Sequence, residues 1–149
     1  MELLKKPTTY RIGLMQTKLN RLLKQRTTKA LEGTGINPPE WAMLGVLADT
    51  KKEGMRLREL ADGLGVEASF VTTMAKSLQR RHLVRLVADE DDSRAKKICL
   101  TESGRTFLIK NETELRDALR PITRGIGMTK LATYFTVLSA LIENAQNLD

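Results

Sequence analysis

Apolar residues recur at helical spacing along most of this chain, and the places where the rhythm breaks divide it into elements. In "YRIGLMQTKLNRLLKQRTTKAL", residues 10–31, Leu14, Leu19, Leu22, Leu23 and Ala30 stand among lysines and arginines, which predicts one long amphipathic helix. Gly33 and Gly35 in "EGTG" end it. A second helix starts at "NPPEW". Asn37 is its N-cap, Pro38 takes the first helical position, where a missing N–H is harmless, and Glu40 closes a capping box. The helix runs from Pro38 to about Ala48 and buries Trp41, Leu44 and either Val46 or Leu47.

Polar "DTKKEG" interrupts the pattern, and "MRLRELADGLGV" restarts it with Leu57, Leu60, Ala61 and Leu64, a short helix closed by Gly63 and Gly65. In "EASFVTTMAKSLQRR", Val71, Met74, Ala75 and Leu78 form one apolar stripe, which leaves Ser69, Phe70, Thr72, Thr73, Lys76 and Arg80 on other faces. Two short helices across a tight turn, the second with a small and polar outer face, make the pattern of a helix-turn-helix. The period then changes to that of strands. "LVRLVA" and "KKICLT" flank "DEDDSRA" and predict a two-stranded ribbon, a wing after the recognition helix. Thr101 caps a helix with Gly104 in its first turn that reaches about Arg120, before Pro121. The last helix carries Leu131, Phe135, Leu138, Leu141 or Ile142, and Ala145 at helical spacing. The expected fold is mainly α with a small β-ribbon (α+β): a winged helix-turn-helix region over 37–101, flanked by helices at 8–33 and 102–147. Those flanking stripes need a surface to bury against, and a twofold partner chain is the commonest one. They are therefore expected to be dimerisation helices.

Composition narrows the chemistry. A length of 149 residues suits one domain whose core needs neither disulfides nor a structural metal. The net charge of +7 favours a polyanionic partner, and it is unevenly placed: residues 1–31 hold eight bases and one acid, whereas 102–149 hold six of each. With 41% hydrophobic and 29% charged residues and no apolar run near the roughly 20 needed to cross a bilayer, a soluble cytoplasmic protein with no membrane partner is expected. The start, "MELLKKPTTY", has no secretory pattern. One cysteine and one histidine argue against zinc, and no cofactor is expected. His82 has neither a second histidine nor a nucleophile pattern beside it, so it reads as a turn residue and the protein as a non-enzyme. Cys99 lies between Ile98 and Leu100 and so faces away from them, where an exposed thiol would be open to oxidation. "DEDD" lacks the ligand spacing of a calcium loop. Aromatics at 4% argue against a single-stranded RNA binder, which stacks bases on aromatic platforms.

The densest block of acids, Asp89 to Asp92, sits just before Arg94 in a basic protein. An arginine is drawn to the negative potential of a narrow minor groove. A flexible arginine alone loses much of that gain to ordering entropy, whereas an acceptor beside it pre-orients the guanidinium fork.

From "GINPPEWAML" through "RLRELADGLGVEASFVTTMAKSLQRRHLV" to "DEDDSRAKKICLTESG", the chain resembles the MarR family of dimeric winged-helix transcription regulators. The wing carries the most specific part of the likeness. Asp89, Asp91, Asp92, Arg94, Ala95, Leu100, Thr101 and Gly104 stand where the family pattern has them, with Glu90 for a proline and Ser93 for a basic residue. The resemblance implies a homodimeric, sequence-specific regulator of double-stranded DNA, commonly a repressor acting on a pseudo-palindromic operator. It implies that Arg94 enters the minor groove and that Asp92 holds loop and arginine in place. The DNA-contacting set so implied is Arg58, Ala68, Ser69, Phe70, Thr72, Thr73, Lys76, Arg80, Asp92, Arg94 and Lys96. It further implies a small aromatic or anionic effector in a crevice beside the first helix, for which Tyr10, Leu14 and Trp41 are the candidates. Three positions before the wing also depart from the family: Thr73 replaces a frequent arginine, Glu67 an N-cap serine and His82 a glycine. Family members that sense peroxide use a cysteine in the first helix, which this chain lacks. The competing readings are a winged-helix module that binds protein without DNA, and a basic first helix that lies on an anionic membrane surface.

Overall fold

Local chemistry sets the second helix before any tertiary contact does. In the computed structural model, which describes residues 9–148, Asn37 Oδ1 accepts from the Glu40 N–H at 2.9 Å and Glu40 Oε2 accepts from the Asn37 N–H at 3.0 Å. The first residue of the expected 8–33 segment therefore lies outside the described residues, as do the other terminal ones. The elements in chain order are α1 (Thr9–Ala30), α2 (Pro38–Asp49), β1 (Met55–Arg56), α3 (Leu57–Leu64), α4 (Ala68–Arg80), β2 (Val84–Ala88), β3 (Lys96–Leu100), α5 (Glu102–Leu119), a 3-10 turn at Arg120–Thr123, and α6 (Met128–Gln146). They divide into two units, one ending at Ala118 and the other beginning at Leu119.

The core of the first unit joins one face each of α2, α3 and α4 to the sheet. Met43, Leu44 and Leu47 of α2, Leu60 and Ala61 of α3, and Val71, Met74, Ala75 and Leu78 of α4 are all buried against Val84 and Ile98. Leu47 rather than Val46 takes the inward position on α2, and Trp41 is half-buried. Gly65, in the left-handed conformation, caps α3, whereas Gly63 lies within the helix.

The sheet has three strands, not two. Strand β3 is central, pairing antiparallel with β2 from Val84↔Leu100 to Ala88↔Lys96 and with β1 through Met55↔Ile98 and Arg56↔Lys97. Gly54 allows the approach of β1. Its φ is +91°, and a Cβ there would meet Cys99 Sγ at 2.5 Å and the Ile98 carbonyl oxygen at 2.8 Å. This also corrects the expectation for Cys99. Strand alternation does turn it away from Ile98, but the Glu53–Gly54 segment covers that face, so the thiol is buried and lies 3.6 Å from the Glu53 carbonyl oxygen.

His82 occupies the α4–β2 turn with φ +58°, the sole non-glycine residue of the described chain with positive φ. The left-handed region places Cβ against the carbonyl. His82→Gly should stabilise the fold by about 0.5–1 kcal/mol, because the strain relieved exceeds the added chain entropy. Thermal melts of the two proteins check this: a lower midpoint for the glycine variant would show that the imidazole makes a compensating contact.

In the second unit α6 buries none of its residues: Phe135 is 62% exposed and Ile142 52%. No single helix among the described residues is long and apolar enough to cross a membrane.

Candidate nucleic-acid interface

The stripe that anchors α4 decides what the helix shows to solvent. With Val71, Met74, Ala75 and Leu78 buried, Ala68, Ser69, Phe70, Thr73, Lys76 and Arg80 are exposed and Thr72 is half-buried. Phe70 does not join the core; it is 43% exposed. The Thr72 hydroxyl donates to the Ala68 carbonyl at 3.0 Å and the Thr73 hydroxyl to the Ser69 carbonyl at 3.2 Å. Each therefore turns its lone pairs outward and acts toward an incoming group as an acceptor. Glu67 stands at the N-cap but makes no side-chain cap bond, so the first-turn amides of α4 lack a side-chain acceptor. At the other end of the helix, Arg81 Nη2 donates to the Thr34 carbonyl at 2.6 Å and the guanidinium lies 5.8 Å from the centre of the Phe107 ring. A Cβ at Gly35 would come within 2.8 Å of Arg81 Nη1, so the arginine packs on a bare glycine and ties α4 to the α1–α2 turn and to α5. Arg58, on the first turn of α3, is exposed.

The wing is organised around Asp89 rather than around the acid beside Arg94. The Asp89 side chain is fully buried and is gripped by Arg56 at two points, Nε to Oδ2 at 2.7 Å and Nη2 to Oδ1 at 3.1 Å, with Lys97 Nζ 3.7 Å away. Its Oδ1 also accepts from the backbone N–H groups of Asp91 (2.8 Å) and Asp92 (3.2 Å). The Arg56 hydrogen bonds hold the Asp89 carboxyl far below the usual carboxylate range, against the opposing effect of burial, and the Asp91 amide and the charges of Arg56 and Lys97 act in the same direction. Asp89 raises the guanidinium of Arg56 in return. Because the folded value lies below the unfolded one, the stabilisation from Asp89 is present above the ordinary carboxylate range and is lost only as pH falls below it. The pair is charged throughout neutral pH.

Asp92 holds the loop, as expected, but not the guanidinium fork. Its Oδ1 accepts from the backbone N–H of Arg94 at 3.0 Å, and no carboxylate of the described residues pairs with the Arg94 guanidinium. The aspartate fixes the turn that carries the arginine, whereas the fork stays exposed beside exposed Lys96. A side chain two residues away reaches the intervening backbone amide before it can reach the far end of an extended arginine.

The sequence did not disclose the partnership of Arg56 with Asp89. One signal existed: Arg56 is the N-cap of α3, a position that favours Ser, Thr, Asp or Asn, so an arginine there suggests a side chain engaged elsewhere.

A groove of about 390 Å³ opens between α1 and α2. Asn20, Lys24 and Thr27 of α1 and Trp41 of α2 line it, and Met74, from the buried face of α4, forms part of its wall. Trp41 is thus in the groove, whereas Tyr10 and Leu14, both 62% exposed, stand nearer the start of α1 and do not line it. No cluster of three or more His, Cys, Asp or Glu side chains among the described residues is placed to hold a metal ion.

A family model described as the MarR family matches residues 34–95, from the α1–α2 turn to the end of the wing loop. The transcriptional activatory protein BadR of Rhodopseudomonas palustris is 26% identical over 130 residues, which span 86% of this chain and 74% of that protein. Over residues 34–95 the chain is similar to the MarR family. The match is to DNA-binding transcription regulators of winged helix-turn-helix type. Solved structures of MarR-type regulators share the fold. The Mycobacterium tuberculosis regulator MosR, solved in complex with DNA, is 26% identical with a TM-score of 0.71, over 89% of this chain and 96% of that one. CouR from Rhodococcus jostii, solved bound to p-coumaroyl-CoA, superposes with a TM-score of 0.78 at 24% identity, over 88% of this chain and 91% of that one.

Proposed function

We propose that this protein is a MarR-family regulator and acts in the cytoplasm as a homodimer on a pseudo-palindromic duplex, with α4 of each copy in a major-groove half-site and Arg94 in the flanking minor groove. The observation that carries the reading is the braced wing, which orders the backbone around Arg94 and leaves its guanidinium free. Lys76, Arg80 and Arg58, with Lys96 on the wing, supply phosphate contacts. Ala68 and Ser69 are small enough for close approach, Phe70 can lie on a thymine methyl, and Thr72 and Thr73 offer lone pairs that match the amino groups of adenine or cytosine. The uncovered apolar residues of α6 supply the twofold interface. BadR carries the name of an activator. Repression, the family's commoner mode, follows here where the operator overlaps the promoter.

The groove between α1 and α2 is the effector site in this reading. Trp41 offers an aromatic wall, and Lys24 and Asn20 offer a cation and an amide, which suits a small aromatic anion or its thioester; CouR lends support. Met74 belongs to α4, so an occupant would press on the recognition helix itself. Such a ligand shifts DNA affinity only through unequal binding to the DNA-competent and DNA-incompetent states. Trp41 is the single tryptophan, so its fluorescence reports the groove directly. Titration with p-coumarate and p-coumaroyl-CoA should give saturable quenching by at least one of them, weakened by Lys24→Ala, and the same compound should change duplex affinity. Quenching without any change in DNA binding would contradict the effector role.

A further inference from the structure

We infer that Arg56 is a positioning residue for DNA binding: by holding Asp89 it sets the pose of the wing, and with it Arg94, relative to the helix-turn-helix. The inference rests on the reading that Arg94 enters the duplex.

Arg56 stands at a joint, the last residue of β1 and the N-cap of α3. Its own N–H donates to Glu59 Oε2 at 3.0 Å, which fixes its backbone to the start of the first helix of the motif. Its guanidinium crosses to the wing and meets Asp89 as a two-point fork, the strongest geometry available to an arginine and a carboxylate. From Asp89 a chain of bonds encloses the wing loop. Oδ1 takes the amides of Asp91 and Asp92, the Asp89 N–H donates to the Ala95 carbonyl at 3.0 Å, and the Ala95 N–H donates to the Asp92 carbonyl at 2.9 Å. Asp92 Oδ1 then takes the amide of Arg94. A continuous run of hydrogen bonds thus joins the start of α3 to the backbone of Arg94, and every link acts on the loop's main chain, not on the Arg94 fork.

Removing Arg56 would leave a buried carboxylate with Lys97, at 3.7 Å, as its one cation among the described residues. A buried charge without its main partner is strongly disfavoured. Asp89 would turn toward water and release the two amides it holds, so Arg94 would sample many poses and lose its advantage to ordering entropy.

The test compares duplex affinity at one salt concentration for the wild type, Arg94→Ala, Arg56→Met, the double variant and Arg56→Lys, with thermal melts to establish that each is folded. Arg94→Ala should weaken binding about tenfold or more. Arg56→Met should weaken it by a comparable factor, and Arg94→Ala added to Arg56→Met should cost less than about twofold more, because an unplaced arginine has little left to lose. Arg56→Lys, which keeps the charge but not the fork, should fall between wild type and methionine. Should Arg56→Met prove unstable, amide exchange in Arg56→Lys serves instead, with faster exchange at Asp91 and Asp92 expected. Independent, multiplying effects, or wild-type affinity for folded Arg56→Met beside a weakened Arg94→Ala, would overturn the inference. An Arg94→Ala protein that binds as well as wild type would instead remove the wing reading, and this inference with it.

Discussion

Arg94→Ala is expected to lower duplex affinity about tenfold to a hundredfold and to reduce the slope of log affinity against log salt by about one per wing. The residue is exposed, its amide is pinned by Asp92, and no carboxylate of the described residues neutralises its fork. Alanine removes no contact that the described fold uses, so the thermal midpoint should stay within a degree or two of wild type, as is usual of exposed positions. Equilibrium binding to one duplex across a salt series provides both quantities. An unchanged slope with unchanged affinity would place the wing away from DNA and favour a surface that recognises protein.

Gly104→Ala is expected to cost about 3 kcal/mol of stability, a fall in melting temperature of roughly 8 °C. The sign is the informative part. Within a helix, alanine is ordinarily better than glycine by about 1 kcal/mol. Here a Cβ would collide with the Leu83 carbonyl oxygen and meet Leu100 Cδ1 at 2.7 Å. The Leu83 oxygen cannot retreat freely, because it accepts from the Thr101 N–H at 3.1 Å while the Thr101 hydroxyl donates to the adjoining His82 carbonyl at 2.6 Å. Thr101 in turn accepts the Gly104 N–H as the cap of α5, so the start of the helix and the edge of the wing are built around the missing side chain. Calorimetric or circular-dichroism melts of the two proteins decide the matter, and a midpoint equal to or above wild type would show that helix and sheet are packed less closely than this.

What could be read in advance was local. The Asn37, Pro38 and Glu40 cap spans four residues and was legible in full, as were the stripe of α4 and the Thr101 cap, since their partners lie one or two turns away. What could not be read depends on distant segments. Strand β1 is two residues long and exists because β3 pairs with it, so nothing in "EGMRL" marks it. The burial of Cys99 follows from the same pairing: alternation assigns a face but does not say what covers it. Arg56 and Asp89 are 33 residues apart, and several bases were equal candidates for the acid run. Of the three effector candidates that the family resemblance implies, Trp41 lines the groove between α1 and α2, whereas Tyr10 and Leu14 stand outside it.

Hydroxyl-radical and methylation footprinting on a selected operator maps both grooves at once. A dimer with its wings on DNA should protect two major-groove patches about one helical turn apart, with minor-groove protection on the outer side of each that disappears in Arg94→Ala. A single unpaired patch, or flanking protection that survives the loss of Arg94, would contradict that arrangement.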